Sequence, residues 1–330
     1  MKRLPAEWER QRETLLVFPH DESDWNEYLS DIRKTYIDIV KAITKYQKCT
    51  LLCKDIEEAK DWFAGFENIN FIQMDTNDTW IRDYGPITIK AGSKAKYLDF
   101  FFNGWGLKYP ANFDNLVNRK LYAEKFLDNL ETIGFVLEGG SIESNGEGII
   151  LTTKECLLEA NRNPHLSQKE IENSLKNFLG AKKILWLNHG FLAGDDTDSH
   201  IDTLARFIKK DTIVYVKCDD PEDEHFEELL KMEKELKSFK DLNKKSFTLV
   251  PLPWISPKFY KNERLPATYA NFLFINDAIL VPVYGDKNDK KAVELFKNLL
   301  PDREVIPVDS SVLIRQHGSI HCASMQIPML

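Results

Sequence analysis

The chain repeats one order of segments: an apolar strand, a polar loop, a β-hairpin and a helix. Five such units can be followed along its 330 residues. Their first strands are INFIQM, GFVLE, KILWL, SFTLVPL and EVIPV, which begin at positions 69, 134, 183, 246 and 304. Because the spacing between units is uneven, the pattern indicates a structural repeat with little repetition of sequence.

Turn residues predict where the hairpins lie. Asn145-Gly146, Lys210-Asp211 and Asn276-Asp277 each separate two runs of β-branched or aromatic residues, which is typical of a tight turn between paired strands. Apolar residues at helical spacing predict helices between the hairpins and the following strands. These helices fall within residues 29–43, 116–130, 221–236 and 292–299.

The fifth unit ends before its hairpin is complete. The N-terminal run ETLLVFPH, residues 13–20, offers the missing strand, so that the first and last segments would pair and close a ring. We therefore predict an α/β fold, a five-bladed α/β-propeller that forms a single catalytic domain over residues 1–330. A doubly wound parallel sheet is the alternative, although hairpins inside each unit disfavour it.

Composition and charge exclude several classes of partner. The net charge is −8, and no stretch approaches the roughly 20 apolar residues of a membrane span. We therefore expect neither a nucleic-acid nor a membrane partner and, without an apolar signal core near the N-terminus, a cytoplasmic location. The five cysteines are an odd number and are sparse in the sequence, which argues against a disulfide framework. An acidic chain suits a small cationic substrate, and a homo-oligomer is consistent with the frequent self-association of soluble enzymes.

Two of the polar loops carry carboxylates beside unusual neighbours. In TNDTWIRDYGPI, residues 76–87, Trp80, Arg82 and Asp83 lie close together. They form either a capped turn around a packed tryptophan or, through carboxylate pairing and cation–π contact, a cradle for a guanidinium group. In LEGGSIE, Glu138 precedes two glycines, a pattern that a surface turn also explains.

The loop GDDTDSHID, residues 194–202, holds four aspartates and a histidine. A metal site is one interpretation, and an acid/base histidine flanked by carboxylates is the other. In an extended segment, His200 and Asp202 would point to the same side, so both would act on one small substrate.

The last loop, HGSIHCASMQIP at residues 317–328, contains Cys322. Taken alone, a cysteine is more often a small buried residue than a nucleophile. We interpret the remaining four as core residues, namely Cys49, Cys53, Cys156 and Cys218. His317 and His321 lie in the same loop as Cys322, near the mouth of the predicted ring.

Together these loops resemble those of the agmatine deiminases, within the guanidine-modifying or pentein superfamily that also contains the bacterial peptidylarginine-deiminase-like proteins. The shared motifs are TNDTWIRDYGPI, EGGSIESNGEGIILTTKECLLEANRNP, GDDTDSHID and GSIHCASMQIP. The resemblance extends from LPAEWE near the N-terminus to the last residues. It implies a five-bladed α/β-propeller whose site lies in the central mouth.

The resemblance also implies catalytic roles, carried over by motif position. Cys322 corresponds to the nucleophile and His200 to the general acid/base. Asp83 and Asp202 correspond to the two aspartates that bind the guanidinium group. Glu138 corresponds to the carboxylate beside the catalytic histidine.

Two further residues correspond to the substrate channel, and three positions depart from the family pattern. Trp80 matches an aromatic residue of the channel, and Asp196 matches an acidic residue of the agmatine-type sites. The family usually has glycine where this chain has Ser199, and often has glycines where it has His317 and Ser319. These departures concern loop geometry and substrate preference, because no catalytic group is lost.

The implied reaction is hydrolysis of agmatine to N-carbamoylputrescine and ammonia through a covalent thiouronium on Cys322. It is a step in putrescine and polyamine biosynthesis, and it requires no metal and no cofactor. A deiminase of free or peptidyl arginine is the closest alternative, with Arg82 or Arg315 as partner for the extra carboxylate. A non-catalytic binding scaffold is a distant one. A metal-dependent hydrolase would use His200, Asp202, His317 and His321.

Overall fold

A computed structural model describes residues 2–92 and 94–329 of the chain. The strands are β1 (Lys2–Arg3), β2 (Gln11–Val17), β3 (Lys48–Cys53), β4 (Ile69–Gln73), β5 (Ile87–Ala91), β6 (Lys94–Phe101), β7 (Leu130–Val136), β8 (Ile142–Ser144), β9 (Ile149–Thr153), β10 (Lys183–Leu187), β11 (Ala205–Lys209), β12 (Thr212–Val216), β13 (Thr248–Leu252), β14 (Lys258–Tyr260), β15 (Glu263–Leu265), β16 (Leu273–Ile275), β17 (Ala278–Val283), β18 (Glu304–Asp309) and β19 (Ser324–Pro328). The α-helices and helical turns are α1 (Leu29–Thr44), α2 (Ile56–Trp62), α3 (Ile81–Tyr84), α4 (Gly104–Leu107), α5 (Val117–Ala123), α6 (Lys154–Leu157), α7 (Gln168–Leu179), α8 (Ile201–Leu204), α9 (Phe226–Ser238) and α10 (Asp289–Leu299). None of the helices in the described ranges combines the length and the apolar character that crossing a bilayer requires.

Five sheets share one arrangement, in which a central strand pairs antiparallel with one neighbour and parallel with the other. In strand order, these sheets contain β5-β6-β7, β8-β9-β10, β11-β12-β13, β16-β17-β18 and β19-β2-β3. In three of them a short turn joins the antiparallel partners, at residues 145–148, 210–211 and 276–277, and these are the turns that the sequence predicted. The parallel partner follows after a helical crossover, as parallel pairing requires.

The fifth sheet joins the two ends of the described chain. Strand β19 pairs antiparallel with β2, with Ser324 opposite Leu16 and Ile327 opposite Glu13. The described residues therefore form several separate sheets of at most four strands. A single continuous parallel sheet is absent from these ranges, so the doubly wound alternative is wrong.

Local sequence signals explain some helix boundaries and fail at others. Helix α9 begins at Phe226, later than the predicted start at 221. Helix α7 begins with a reciprocal capping box between Ser167 and Glu170 and ends at Gly180, whose φ is +71°. The helix expected over 116–130 is shorter than predicted, because α5 ends at Ala123 and Leu130 begins β7. Parallel pairing of Leu130 with β6 overrides its helical spacing.

Phe296→Ala tests the packing of α10. The ring is fully buried and meets Phe272 edge-on, with centroids 5.1 Å apart, so we expect the free energy of unfolding to fall by about 3–5 kcal/mol. Phe259→Ala is the matched control, because that ring is 63% exposed and its loss should cost within about 0.5 kcal/mol. Urea denaturation followed by tryptophan fluorescence measures both, and equal losses would contradict this packing.

Candidate active site

Five loops meet at one place. They are the loops that directly precede the antiparallel partner of the central strand in each of the five sheets, namely β5, β8, β11, β16 and β19. Each of them contributes a polar side chain that is buried there. In chain order, these side chains are Asp83, Glu138, His200 with Asp202, Asn271 and Cys322. The sequence interpretation named all of them except Asn271.

Asp83 lies on the short helical turn α3. Its Oδ2 accepts a hydrogen bond of 2.9 Å from Trp105 Nε1, and its Oδ1 accepts one of 2.8 Å from the backbone N–H of Gly140. Complete burial raises the pKa of this carboxyl to about 6, despite the opposing effect of nearby His200. The side chain is therefore fixed in direction, and its negative charge is costly unless a cation comes close.

His200 and Asp202 flank the start of α8. The extended segment expected here is wrong, because Ile201–Leu204 forms a helical turn with His200 at its N-cap. Nδ1 of His200 lies 3.7 Å from Asp83 Oδ1, and Nε2 lies 3.9 Å from Glu138 Oε2. Burial opposes the charged ring, but these carboxylates and Cys156 raise the pKa of His200 well above its ordinary value.

Asn271 binds the cysteine from the loop before β16. Its Nδ2 donates to Cys322 Sγ at 3.1 Å and lies 3.3 Å from Asp202 Oδ2, while its Oδ1 accepts the backbone N–H of Cys322 at 3.2 Å. Burial, then Asp202 and Asp83, raise the pKa of Cys322 well above the usual value of a thiol. In the unliganded site the sulfur is consequently a thiol, with its position fixed by Asn271.

Gly140 lies at the centre of this group. A Cβ at this position would be 2.6 Å from His200 Nδ1, 2.8 Å from Asp83 Oδ1 and 3.2 Å from Asp202 Oδ2. Any other residue would displace these polar atoms. The two glycines after Glu138 thus serve close packing around the site, and a surface turn does not account for them.

A pocket of about 580 Å³, part of it open to solvent, leads to Cys322. Trp80 belongs to its lining, and the ring packs so closely on Gly318 that a Cβ there would be 2.4 Å away. Asp196 also lines the pocket and accepts a hydrogen bond of 2.9 Å from Tyr109. Within the described ranges the lining contains no lysine or arginine, and its five aspartates are Asp24, Asp78, Asp83, Asp195 and Asp196.

The two arginines considered as carboxylate partners lie outside this lining. Arg82 donates to the backbone oxygen of His321 at 3.2 Å and to Gln326 at 2.6 Å, and it lines a different pocket. Arg315 stacks over the rings of Tyr28 and Tyr260 at 5.3 and 5.1 Å. In this arrangement neither reaches a substrate beside Cys322.

Glu138 is fully buried and paired with a cation. Arg162 Nε lies 2.9 Å from both carboxylate oxygens. Glu138, Cys156 and His200 present ligand atoms within 4.8 Å of one another, a spacing that suits a metal ion. Because Arg162 already neutralises Glu138, this cluster fits an ion pair better than a metal site. The set proposed from sequence, His200, Asp202, His317 and His321, forms no such group in the described ranges.

Two departures from the family pattern adopt the backbone conformation that favours glycine. Ser199 has φ +60° and His317 has φ +66°. Such a conformation costs about 1–2 kcal/mol for other residues. The Ser199 N–H donates to Asp195 at 2.7 Å, and His317 Nδ1 lies 2.6 Å from Gly194 O. These contacts offset the strain. The first lies within the loop 194–202, and the second joins this loop to the loop that contains Cys322.

A sequence profile of the Porphyromonas-type peptidyl-arginine deiminases matches residues 3–328. The chain belongs to this family. The agmatine deiminase of Pseudomonas syringae pv. tomato is 32% identical over 353 residues, covering 98% of this chain and 95% of the relative. A structure of the C. jejuni agmatine deiminase, a cysteine-to-serine variant with substrate bound, is 46% identical with a TM-score of 0.96, covering 100% of this chain and 97% of that chain.

The fold of this deiminase family extends to more distant proteins. A dimethylarginine dimethylaminohydrolase structure is 12% identical, with a TM-score of 0.54 over 96% of this chain and 100% of that chain. At this identity the likeness shows the fold alone, a mixed α/β fold with neighbours of the pentein type. It carries no argument about the reaction.

The buried thiol predicts an unusual pH dependence of alkylation. Only the thiolate is the reactive nucleophile, and the pKa of Cys322 lies well above its ordinary value. We expect iodoacetamide to label Cys322 more slowly than free cysteine at neutral pH, with a rate that rises as the pH increases into the alkaline range. Peptide mass spectrometry at a series of pH values measures it. Labelling as fast as that of free cysteine at pH 7 would contradict this environment.

Proposed function

We propose that this deiminase family member hydrolyses the guanidinium group of agmatine, giving N-carbamoylputrescine and ammonia. One observation carries the proposal. A cysteine, a histidine and two aspartates meet at the end of a pocket whose described lining is rich in aspartate and free of lysine and arginine. The naming of the P. syringae relative and of the C. jejuni structure as agmatine deiminases supports it.

Asp83 and Asp202 are proposed to bind the guanidinium group. A guanidinium is planar and remains protonated, so it donates paired hydrogen bonds to carboxylates. Oδ1 of Asp202 has no hydrogen-bond partner within the described residues, and the charge of Asp83 is unfavourable without a cation. The guanidinium group of the substrate would donate a hydrogen bond to Asp202 Oδ1 and place a positive charge next to Asp83. Trp80 is proposed to line the path of its alkyl chain.

The bound cation also activates Cys322. The same carboxylates that raise the pKa of the thiol are neutralised when the guanidinium binds, so the pKa of Cys322 falls and the thiol releases its proton to the solvent in the pocket, which leaves the thiolate. The sulfur then forms a bond to the central carbon of the guanidinium. The buried pair of Asn271 and Asp202 holds the sulfur in place, which supplies the orientation that such an attack requires.

His200 carries the protons in both halves of the reaction. As an imidazolium, it donates a proton to the departing nitrogen, which leaves as ammonia while a thiouronium remains on Cys322. The neutral ring then takes a proton from water, whose oxygen adds to the same carbon as the C–S bond breaks. Glu138 and Asp83 stabilise the protonated ring from two sides.

The amine end of agmatine matches the outer part of the pocket. Asp196, Asp78 and Asp24 line it, and burial together with neighbouring acids raises the pKa of Asp78 to about 7. An ammonium group there would favour the ionised carboxylates. Arginine would instead place a carboxylate among these acids without a cation to bind it, which disfavours free arginine.

We also propose that the five similar sheets are arranged as a five-bladed propeller in a single domain. Their common strand pairing and the β19–β2 pairing at the chain ends support a ring. The convergence of the five loops on one pocket is what such a ring would produce.

A substrate comparison tests the proposed function. Formation of ureido product should be rapid with agmatine and lower by at least about 100-fold in kcat/KM with arginine and with a blocked arginine peptide, because of the unpaired carboxylate or the larger backbone. Cys322→Ser should abolish turnover while agmatine still binds. Turnover of agmatine by Cys322→Ser at the parent rate would refute the mechanism, and preference for arginine would refute the substrate.

Gly140→Ala tests the close packing of the site. The added methyl group would displace His200 and Asp83, so kcat/KM for agmatine should fall by about 100-fold or more. Gly134→Ala is the control, because its Cβ would have no atom within 4 Å. The same ureido assay, with circular dichroism to verify folding, measures both. A fully active Gly140→Ala would show that the site is looser than described.

A further inference from the structure

His321, the residue before the proposed nucleophile, lies between two buried carboxylates. Its Nδ1 is 2.6 Å from Asp202 Oδ2, and its Nε2 is 2.6 Å from Glu7 Oε2. Ionised carboxylates only accept hydrogen bonds, whereas a neutral imidazole has a single N–H to donate. Two such contacts therefore require both nitrogens to be protonated, and the ring carries a positive charge.

The surrounding charges balance only if His321 is a cation. Arg206 Nη2 donates to Glu7 Oε2 at 3.0 Å and Arg206 Nε donates to Glu143 Oε2 at 2.8 Å. Arg82 Nη2 lies 3.6 Å from Glu7 Oε2. The network thus has three carboxylates and three cations, all buried. A buried charge without a counter-charge is strongly unfavourable, so loss of the His321 charge would leave an excess of negative charge next to the substrate site.

We propose that His321 is a positioning residue that fixes Asp202 and keeps it ionised for binding of the guanidinium substrate. This inference rests on the proposed function. Because His321 binds Oδ2 of Asp202, the direction of the carboxylate is set and Oδ1 is left without a partner in the described ranges. Asn271 also approaches Oδ2, at 3.3 Å, and it supplies no charge.

A comparison of the two guanidinium-binding aspartates supports this role. Both are completely buried, which by itself raises a carboxyl pKa. Burial raises the pKa of Asp83 to about 6. The pKa of Asp202 is lowered instead, because the hydrogen bond and charge of His321, together with the charges of His200 and Arg206, outweigh the effect of burial. The groups with charge or a titratable proton that surround Asp202 are His321, Cys322, Arg206, Arg82, Asp83 and His200.

Two neutral replacements of similar shape separate the two contacts of His321. An asparagine amide can take the position of Nδ1 and still donate to Asp202. A glutamine amide can take the position of Nε2, which reaches Glu7 and leaves Asp202 without its donor. We expect His321→Gln to lower kcat/KM for agmatine by about 10- to 100-fold, the loss typical of removing a hydrogen bond to a charged group. His321→Asn should lose less, and the change should appear mainly in KM.

The pH profile reports on the ionisation of both guanidinium-binding aspartates. Asp83, whose pKa is about 6, sets the acidic limb of the parent, and Asp202 contributes to this limb once its own pKa rises from the lowered value. Without the cation its pKa rises, so the carboxylate is protonated at a higher pH as acidity increases. The acidic limb of kcat/KM, which reflects the free enzyme, should therefore move to higher pH in both variants, and further in His321→Gln. A merely structural role would lower activity without moving this limb.

Glu143→Gln is the matched control. It also leaves the buried network one charge out of balance, because Glu143 pairs with Arg206, but both contacts of His321 remain. Its acidic limb should stay close to that of the parent, and urea midpoints for all three variants identify losses due to folding. If His321→Gln does not fold, the limb in His321→Asn decides the question.

Three outcomes would overturn the inference. These are an unmoved acidic limb in the folded His321 variants, equal losses in His321→Gln and His321→Asn, or the same limb shift in Glu143→Gln. A parent protein that turns over no guanidine substrate would refute the proposed function and this inference with it. A parent that turns over agmatine alongside unaffected variants would refute the inference alone.

Discussion

Burial of ionised groups in compensated pairs is the constraint on which this site depends. Asp202, His321 and Glu7 form a chain of contacts of 2.6 Å, and Arg206 extends it to Glu143. An isolated charge could not remain ionised there, because the free energy lost when it leaves water exceeds the interaction free energy that an uncharged neighbour can provide. The network therefore requires charged residues from distant parts of the chain to be close together in the folded protein. A fold in which five loops meet at one site satisfies this requirement.

Not every charge in the site is compensated before substrate binds. Asp83 and the acids of the outer pocket face no lysine or arginine from the described lining, and burial raises the pKa of Asp83 and Asp78. This leaves a deficit of positive charge that a dication can fill. The selectivity proposed for agmatine follows from that deficit, because the ligand that completes the charge balance must carry a cation at each end and no anion.

The sequence indicated much of this site because its reactive residues lie in dense motifs. The motifs predict Cys322, His200, Asp83 and Asp202 as site residues, and the structure places these four side chains close together. Asn271 was missed since it is a single amide in a long loop, and its role depends on a contact with Cys322 that no local pattern encodes. Pairing between distant strands likewise determines the secondary structure of the backbone at positions where the local sequence pattern predicts the wrong element.

The same limit applies to residues whose behaviour depends on their partners. Leu130 has helical spacing, yet it lies in a strand because β6 offers hydrogen bonds to it. Cys156 was assigned to the core, and it is buried, but it lies 3.9 Å from Glu138 and affects His200. Sequence patterns predict the helix or strand that contains a residue more readily than the charged groups that surround it. The reason is that contacts between charged groups join segments that are distant in the sequence.

The high pKa of the proposed nucleophile has a consequence for control of the reaction. A cysteine that stays a thiol until a cation binds reacts slowly with oxidants and with other electrophiles, whose attack requires the thiolate. The carboxylates that disfavour the thiolate, Asp83 and Asp202, are the same ones that are proposed to bind the guanidinium group. Substrate binding and activation of the nucleophile are therefore coupled through one set of charges, so that reactivity appears only when the cation is in place.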